Sequence, residues 1–393
     1  MAQGPPRRLA IVGCGFIGGI HSMVLWGLRR AGRTDAAVVA CCDTDLERAR
    51  LFALYHGAGL ATTDPAEAMA AADVVWICTP TFTHRALIDM ACSAGLAVYC
   101  EKPLAPSLEE AEQLAAAAAA AGIPVQVGLV LRHSPVLGAA SDVVGSGELG
   151  RLMAIVFRDD QYFPIQGQYA SSWRADVSIA GGGTLIEHSI HDLDVLAWMG
   201  GPVDSVSART ANFAGNEGVE DVAAVTLVHE SGAVSTLTSV WHWVLSRPST
   251  RRIEMFGERG VLWTDDEAAG PLWLQTDAGA TQVPVEGRAG AAGASAVEAV
   301  GKVVGLPEEL TAGLSLYVRA DLDFLESLAA SRSASPGLEP ALAAHRLADL
   351  AYRSARKGVG GAIVDGYQRQ PQHEDELAGL DEATRALVEE EPW

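Results

Sequence analysis

The first third of the chain alternates short apolar runs with segments that have a helical pattern. Two of these segments open with N-cap and capping-box residues, at Asp64 and at Ser107. Successive strands separated by helices lie parallel, because the chain must cross over the sheet before the next strand begins. The alternation therefore predicts an α/β domain with a parallel sheet over residues 1–133. Its predicted strands are Leu9 to Gly13, Ala37 to Cys42, Asp73 to Thr79, Leu96 to Cys100 and Ile123 to Gly128.

Beyond about residue 134 the pattern changes to longer β-type segments that are joined by turns. Strands without regular intervening helices are typical of antiparallel sheets. We therefore predict a C-terminal α+β domain with an open, mainly antiparallel sheet over residues 134–365. An irregular loop with one short helix is expected over 265–305, and a polar, acidic C-terminal tail over 366–393. The predicted strands are Arg151 to Phe157, Val203 to Ala208, Val222 to His229 and Ala233 to Trp243.

Composition limits the classes of partner. The chain has 393 residues and a formal net charge of -21. Nucleic acid or an anionic membrane would require a basic face, so small molecules are the expected partners. No stretch approaches the roughly 20 apolar residues of a membrane span, and the N-terminus lacks the pattern of a secretory signal. The six cysteines form no Cys-x-x-Cys pair, so reduced thiols and a cytoplasmic location are expected.

A glycine-rich turn directly follows the first predicted strand and opens a helical segment. Its three glycines permit a tight turn, the close approach of a pyrophosphate, and packing of the helix on the strand. The helix N-terminus then offers unpaired N–H groups to the phosphates. We interpret this as a Rossmann dinucleotide-binding site; a glycine turn without a ligand is the alternative. The turn reads Gly13-Cys14-Gly15-Phe16-Ile17-Gly18.

Asp43 ends the second predicted strand, where a carboxylate can accept hydrogen bonds from both ribose hydroxyls. A carboxylate at this position repels a 2′-phosphate, and the next two residues are not basic. The nearest bases are Arg48 and Arg50. We therefore predict NAD as the cofactor, with NADP less favoured.

Two further strand ends are expected to meet the same crevice. The third strand ends at Thr79-Pro80-Thr81, which leads to His84, and the fourth at Glu101-Lys102-Pro103. In an open parallel sheet the carboxyl ends of the strands form the ligand crevice, so Lys102 is predicted to face the ligand. For His84, local hydrogen bonding at the start of a helix and contact with the cofactor are both consistent with the sequence.

These segments, together with Trp173-Arg174 and Gly181 to Asp194, resemble the Gfo/Idh/MocA family of oxidoreductases. The resemblance covers roughly residues 9 to 365. It implies a Rossmann domain and a sheet domain that covers the nicotinamide and often forms the subunit contact, hence a homodimer or homotetramer. The reaction it implies is hydride transfer between NAD(P) and a secondary alcohol of a sugar or cyclitol.

The resemblance also implies roles for individual residues. Lys102, Glu187 and His191 form the implied catalytic group, and Glu101 holds the nicotinamide ribose. The chain departs from the common family pattern at Glu187, where aspartate is usual, and at His188. The implied substrate contacts are Lys102, Arg174, Glu187, His188 and His191. The expected cofactor contacts are Gly13, Gly15, Phe16, Ile17, Gly18, Asp43, Thr79, Pro80, Thr81, His84, Glu101, Lys102, Trp173 and Arg174.

Residue spacing by itself points to proton handling. On one helix, Glu187 and His191 are four apart and share a face, and a carboxylate beside an imidazole favours its charged form. Such a histidine suits a base that takes a hydroxyl proton as hydride leaves. Lys102, partly desolvated beside a cationic nicotinamide, is expected to have a lowered pKa. Either residue can be the formal base.

Other interpretations of these segments remain open. His188, His191 and Asp192 are metal-ligand types, but their spacing is not that of zinc hydrolases, and no metal is expected. A polar helix N-terminus without a catalytic role is the structural alternative. Trp241 and Trp243 share one strand face, where core or interface packing is favoured over stacking on a sugar.

The sequence therefore favours a dehydrogenase that acts on a ring hydroxyl of a sugar, cyclitol or glycoside. A second enzyme class would use transient oxidation by tightly held NAD to cleave a glycoside. A third possibility is a non-catalytic regulator that binds the dinucleotide. These hypotheses differ in whether net NADH is formed.

Overall fold

The computed structural model describes residues 6–285 and 291–357. The acidic tail that we predict over 366–393 lies outside the described residues.

The N-terminal strands form a six-stranded parallel sheet in the order β3-β2-β1-β4-β5-β6. This is the strand order of dinucleotide-binding domains, and it confirms the predicted Rossmann sheet. The strands are β1 (Arg8–Val12), β2 (Ala37–Cys42), β3 (Leu60–Thr62), β4 (Val74–Ile77), β5 (Ala97–Cys100) and β6 (Val125–Val127). The connecting helices are α1 (Phe16–Arg30), α2 (Leu46–His56), α3 (Pro65–Ala70), α4 (His84–Ala94) and α5 (Leu108–Ala121).

Strand β3 was absent from the sequence prediction. It has only three residues, which is too short for an alternating pattern to be visible. The predicted capping residues are confirmed, since the side chains of Asp64 and Ser107 accept hydrogen bonds at the starts of α3 and α5.

After α6 (Pro135–Ser146), the chain builds an eight-stranded sheet in the order β14-β13-β12-β11-β7-β10-β9-β8. Among the described strands of this sheet, β7 and β10 pair in parallel and the other neighbours pair antiparallel, so the sheet is mainly antiparallel, as predicted. The strands are β7 (Leu152–Tyr162), β8 (Val203–Ala211), β9 (Val222–His229), β10 (Val234–His242), β11 (Thr250–Gly257), β12 (Val261–Thr264), β13 (Leu272–Thr276) and β14 (Gly279–Val283). The helices between β7 and β8 are α7 (Val177–Ala180), α8 (Thr184–Glu187) and α9 (Ile190–Gly200).

The predicted irregular loop over 265–305 is wrong. Strands β13 and β14 form a hairpin there, in which Leu272, Leu274 and Val283 are buried. The one helix predicted within this range is present as α10 (Ala291–Val304), which is 14 residues long rather than short. Alanine is a strong helix former, and Ala296 and Val300 are buried one turn apart. The low complexity of this segment concealed its amphipathic face.

The C-terminal helices return to the first sheet. They are α10, α11 (Glu308–Ala329) and α12 (Leu338–Lys357). Helices α10 and α11 pack against α1, and α12 packs against α5 as well as α9 and β8. The proposed division into residues 1–133 and 134–365 stays a prediction, but these helices bring late residues into contact with the dinucleotide-binding half.

Candidate active site

The glycine turn between β1 and α1 has the geometry of a dinucleotide cradle. Gly13 has a φ of +99°, and a Cβ on it would overlap the backbone of Cys78. A Cβ on Gly18 would overlap the carbonyl of Gly13, so this glycine permits close packing. Gly15, in contrast, faces open space. The turn therefore leaves room at the one glycine where the predicted pyrophosphate must approach the backbone.

The start of α1 is open to an anion. Gly15 is its N-cap residue, and no side chain caps the helix. The first N–H groups of a helix lack intrahelical partners and carry a partial positive charge. Phe16, the first helical residue, is 44% exposed, while Ile17 is partly buried. The uncapped start of α1 is therefore suited to bind the phosphates of NAD.

Asp43 lies directly after β2, as predicted, and is held beside the glycine turn. Its Oδ2 accepts a hydrogen bond from the backbone N of Cys14 at 2.8 Å, and its Oδ1 accepts one from Asp45 N at 2.8 Å. Arg48 also reaches this carboxylate, at 2.9 Å. Arg50 instead pairs with Glu47. The carboxylate is thus preorganised where a ribose would bind.

The segment after β4, Thr79 to His84, has some side chains at the predicted cofactor crevice and others in the core. Thr83 donates a hydrogen bond to Thr79 Oγ1, whereas Thr81 is buried and donates to Glu187 Oε1 at 2.9 Å. His84 is also buried, and its two ring nitrogens lie 3.0 Å from the carbonyl oxygens of Pro103 and Thr79. This geometry favours the interpretation that His84 forms local hydrogen bonds. Neither ring nitrogen is then available to bind a cofactor.

Three buried histidines from different elements hold the segment that follows β5. His21 on α1 contacts Glu101, and His84 on α4 contacts the Pro103 carbonyl. His345 on α12 accepts a hydrogen bond from the backbone N of Leu104 at 3.1 Å. The sequence reasoning assigned no site role to His21 or His345, because no local pattern connects either of them to the Glu101 segment.

Lys102 crosses from the first sheet to the helical segment above it. Its Nζ donates a hydrogen bond to the Glu187 carbonyl oxygen at 2.6 Å. Burial lowers the pKa of Lys102, against the opposing effect of the Glu187 carboxylate, and nearby Arg174 lowers it further. This is the direction that we predicted for a lysine in this crevice.

The single helix predicted for Glu187 and His191 is wrong. Helix α8 ends at Glu187, and α9 begins at Ile190. Between them, the side chain of Ser189 bonds Ser239 on β10 at 2.6 Å, which ties the break to the sheet. An interruption frees carbonyl oxygens from helical hydrogen bonding, and here Lys102 occupies the carbonyl of Glu187.

The carboxylate of Glu187 joins the two halves of the site. Its Oε1 accepts from Thr81, and its Oε2 accepts from Arg174 Nε at 3.0 Å. Glu187 is 2% exposed, so both of its oxygens are used within the protein. Glutamate is one methylene longer than the aspartate that the resemblance implies at this position, which gives the side chain additional reach toward these partners.

His191 is 7% exposed, and its Nδ1 has no hydrogen-bond partner among the residues that the structure describes. Burial lowers its pKa well below the usual range, and the cations Lys102 and Arg251 lower it further. The expectation that Glu187 would favour a charged imidazole is therefore wrong. Glu187 is taken by Thr81 and Arg174, and the neighbouring cations keep His191 neutral.

His188 belongs to a buried network beneath the site. Its Nε2 lies 2.9 Å from Asp159 on β7. Arg251 on β11 pairs with Asp159 and Asp192, and also with Glu267. Burial, together with Asp159, raises the pKa of Asp192 to about 7. The sequence reasoning missed Asp159 and Arg251, which lie on strands far from His188 in the chain.

The remaining candidate residues with aromatic side chains are Trp173, Trp241 and Trp243. Trp173 and Arg174 lie together in a short helical turn, Ser172–Ala175, with the guanidinium 4.4 Å from the indole centroid. Trp241 is buried and packs on Phe163. Trp243 is 54% exposed. Trp241 therefore belongs to the core, as the sequence favoured.

The turn that opens α8 is anchored by Glu220. Its carboxylate accepts hydrogen bonds from the backbone N atoms of Gly183 and Leu185, at 2.8 and 2.9 Å. Tyr352 on α12 donates to the same carboxylate at 2.9 Å. A Cβ on Gly183 would overlap the carbonyl oxygen of Glu220. Glu220 thus fixes the backbone that carries Glu187.

We expect Gly183→Ala to destabilise the protein by about 3 kcal/mol, because the added methyl group must displace the Glu220 backbone. Activity should fall as well, since α8 moves. The matched control is Gly138→Ala in α6, where nothing lies within 4 Å of the new Cβ. That change should be neutral or stabilising by up to about 1 kcal/mol. Urea unfolding checks both, and equal midpoints would contradict the assigned role of this turn.

Among residues 6–285 and 291–357, no helix is long and apolar enough to span a bilayer. Within the same ranges, no group of three His, Cys, Asp or Glu side chains has an arrangement that could hold a metal ion.

Comparison with known proteins connects both halves to one family. Residues 7–129 match the model described as "Oxidoreductase family, NAD-binding Rossmann fold". Residues 138–263 match that described as "GFO/IDH/MocA C-terminal domain".

Two curated relatives and one solved structure illustrate the similarity. D-apiose dehydrogenase of Paraburkholderia graminis is 31% identical over 68% of this chain and 67% of its own length. Inositol 2-dehydrogenase of Rhizobium meliloti is 29% identical over 71% of this chain and 81% of its own length. The structure of levoglucosan dehydrogenase with NADH and levoglucosan aligns with a TM-score of 0.77 at 22% identity, covering 90% and 98% of the two chains.

Proposed function

The chain belongs to the Gfo/Idh/MocA family of NAD-binding oxidoreductases, and on that basis we propose that it transfers hydride between NAD and a ring secondary alcohol of a sugar, cyclitol or glycoside. Dehydrogenases of D-apiose and inositol among its relatives support this substrate class. NAD, when bound, supplies the hydride acceptor. The chain's own residues must position the alcohol and take its proton.

The observation that carries this proposal is the meeting of a lysine and a neutral histidine at the break between α8 and α9. Lys102 donates to the carbonyl of Glu187, and its pKa is lowered. His191 has a pKa well below the usual range, and its Nδ1 has no hydrogen-bond partner within residues 6–285 and 291–357. A neutral imidazole can accept a hydroxyl proton, and an ammonium can hydrogen-bond the reacting oxygen.

In the proposed mechanism, Asp43 binds the adenosine ribose, and the glycine turn and the start of α1 bind the pyrophosphate. Glu101 binds the nicotinamide ribose. Lys102 contacts the substrate oxygen, and either Lys102 or His191 removes its proton as the hydride leaves. Glu187 does not need to touch substrate, because its bonds to Thr81 and Arg174 already hold the two halves of the site together.

A substrate panel tests the proposal. Purified protein is incubated with NAD and each of a set of inositols, hexoses, pentoses and glycosides, and NADH is followed at 340 nm. We expect net NADH with at least one ring polyol. Cleaved glycoside without net NADH would instead identify the transient-oxidation mechanism. Dinucleotide binding without turnover of any substrate would favour a non-catalytic regulator.

Two further properties belong to the proposal. The chain is expected to act in the cytoplasm, which its free cysteines support. It is also expected to form a homodimer or homotetramer. One face of the second sheet supports this, because it exposes apolar side chains such as Val156 and Val234.

A further inference from the structure

His21 lies between two buried carboxylates that come from distant parts of the chain. Its Nε2 is 3.0 Å from Glu101 Oε1, and its Nδ1 is 2.8 Å from Asp321 Oδ1. The imidazole is completely buried, and Asp321 on α11 is also 0% exposed. Both ring nitrogens face carboxyl oxygens, and an imidazolium that donates from both nitrogens to two carboxylates satisfies this geometry.

Asp321 is itself held in place. Trp76 on β4 donates its indole N–H to Asp321 Oδ1 at 3.2 Å. On the other side, Glu101 fills the space beside Gly128, where a Cβ would lie 2.6 Å from Glu101 Oε1. The three side chains Asp321, His21 and Glu101 therefore form a packed row that ends beside Lys102.

Lys102 interacts electrostatically with Glu101 at one end of this row. The ring of His21 contacts Tyr99 and Tyr317, and Cys78 lies near both carboxylates. Burial raises the pKa of each of these three groups, so all are neutral near pH 7. Burial alone would lower the pKa of His21, but Asp321 and Glu101 raise it to about 10. Burial raises the pKa of Asp321, and the charge of His21 opposes that effect. With both carboxyl groups ionised around the imidazolium, the row carries two negative charges and one positive charge.

We propose that Asp321 and His21 are positioning residues that orient the Glu101 carboxylate toward the nicotinamide side of the crevice and set the relative affinities for oxidised and reduced NAD. This inference rests on the proposed contact between Glu101 and the nicotinamide ribose. A net negative charge near a cationic nicotinamide favours NAD⁺ over NADH. The imidazolium moderates that charge and fixes the direction of the carboxylate.

The test measures dissociation constants for NAD⁺ and NADH between pH 6 and 9, by protein and NADH fluorescence. In Asp321→Asn, the amide keeps the shape of the carboxylate but removes its charge, so His21 should titrate within this range. At pH 6 the row of this variant is neutral, and its ratio of Kd(NAD⁺) to Kd(NADH) should exceed that of the wild type by about tenfold. By pH 9 the two ratios should converge, because the variant then regains a net charge of about -1.

Asp323→Asn is the matched control. It lies on the same helix, with a side chain that is 34% exposed and paired only loosely with Arg332. Its ratio should equal that of the wild type at every pH. A loss of structure in Asp321→Asn would weaken both cofactors together, without a pH-dependent ratio.

Glu101→Gln separates this inference from the proposed function. If it leaves both affinities unchanged, Glu101 does not contact the cofactor and its proposed placement fails. If it changes the ratio while Asp321→Asn gives a ratio equal to that of the wild type across the pH range, only the role of the Asp321–His21 pair is overturned.

Should Asp321→Asn not fold, proton NMR of the wild type provides the second measurement, through the two N–H signals of a doubly hydrogen-bonded imidazolium. They must persist to pH 9 in the wild type and vanish in His21→Gln; their absence from the wild type would overturn the inference.

Discussion

Replacing Lys102 with methionine should lower kcat on the best substrate by on the order of 100-fold or more, with NAD affinity nearly unchanged. Methionine keeps the length and apolar stem of lysine but loses the ammonium group. The lost group is the one that we place against the reacting oxygen, whereas we assign the phosphates and the adenosine ribose to the glycine turn and Asp43. Steady-state NADH formation gives kcat, and quenching of protein fluorescence by NAD gives the affinity.

Lys302→Met provides the control for this substitution. Lys302 is an exposed residue of α10 that pairs with Glu298 one turn away. Exposed pairs of this kind contribute little, about 0.5 kcal/mol or less, so both kcat and stability should stay close to wild-type values. If Lys102→Met turns over a good substrate as fast as this control, the assignment of Lys102 fails.

His191→Gln should also lower kcat strongly, on the order of 10²- to 10⁴-fold, because glutamine can hydrogen-bond but cannot accept a proton. His56→Gln is the comparison, since His56 lies on α2 and bonds Ser22. The double variant of Lys102 and His191 is informative. Residues that handle the same proton act as a unit, so it should lose no more than the larger single effect. Multiplicative losses would indicate two independent steps.

The pH dependence of kcat/KM follows from the lowered pKa of His191. Its folded pKa lies well below the usual 6.5, so the imidazole is already neutral at pH 6 and above. The rate of alcohol oxidation should therefore show no acidic limb near pH 6.5. A limb that rises through neutral pH and is lost in Lys102→Met would instead identify Lys102, whose pKa is also lowered, as the formal base. A limb at 6.5 that disappears in His191→Gln would contradict the buried, neutral imidazole.

Local sequence patterns were sufficient to predict the structure wherever adjacent residues determine it. The glycine turn, Asp43 at the end of β2 and the caps of α3 and α5 all lie where the sequence indicated, because backbone conformation and capping depend on a few adjacent residues. The prediction of a single helix with Glu187 and His191 is wrong because that part of the chain depends on a distant residue. Its break at Ser189 is set by a hydrogen bond to Ser239 on another element, which helical spacing cannot reveal.

The amino-acid pattern alone was enough to predict the parallel dinucleotide-binding sheet, the mainly antiparallel second sheet, and the residue types that surround the predicted cofactor. The tertiary structure alone decided how those residues are charged and held. It brought Asp321 to His21, Arg251 to Asp192 and Arg174 to Glu187, pairs whose members come from different elements of the fold. Protonation of a buried group depends on the charges that fold against it, which is why His191 is neutral and His21 is charged although both are histidines.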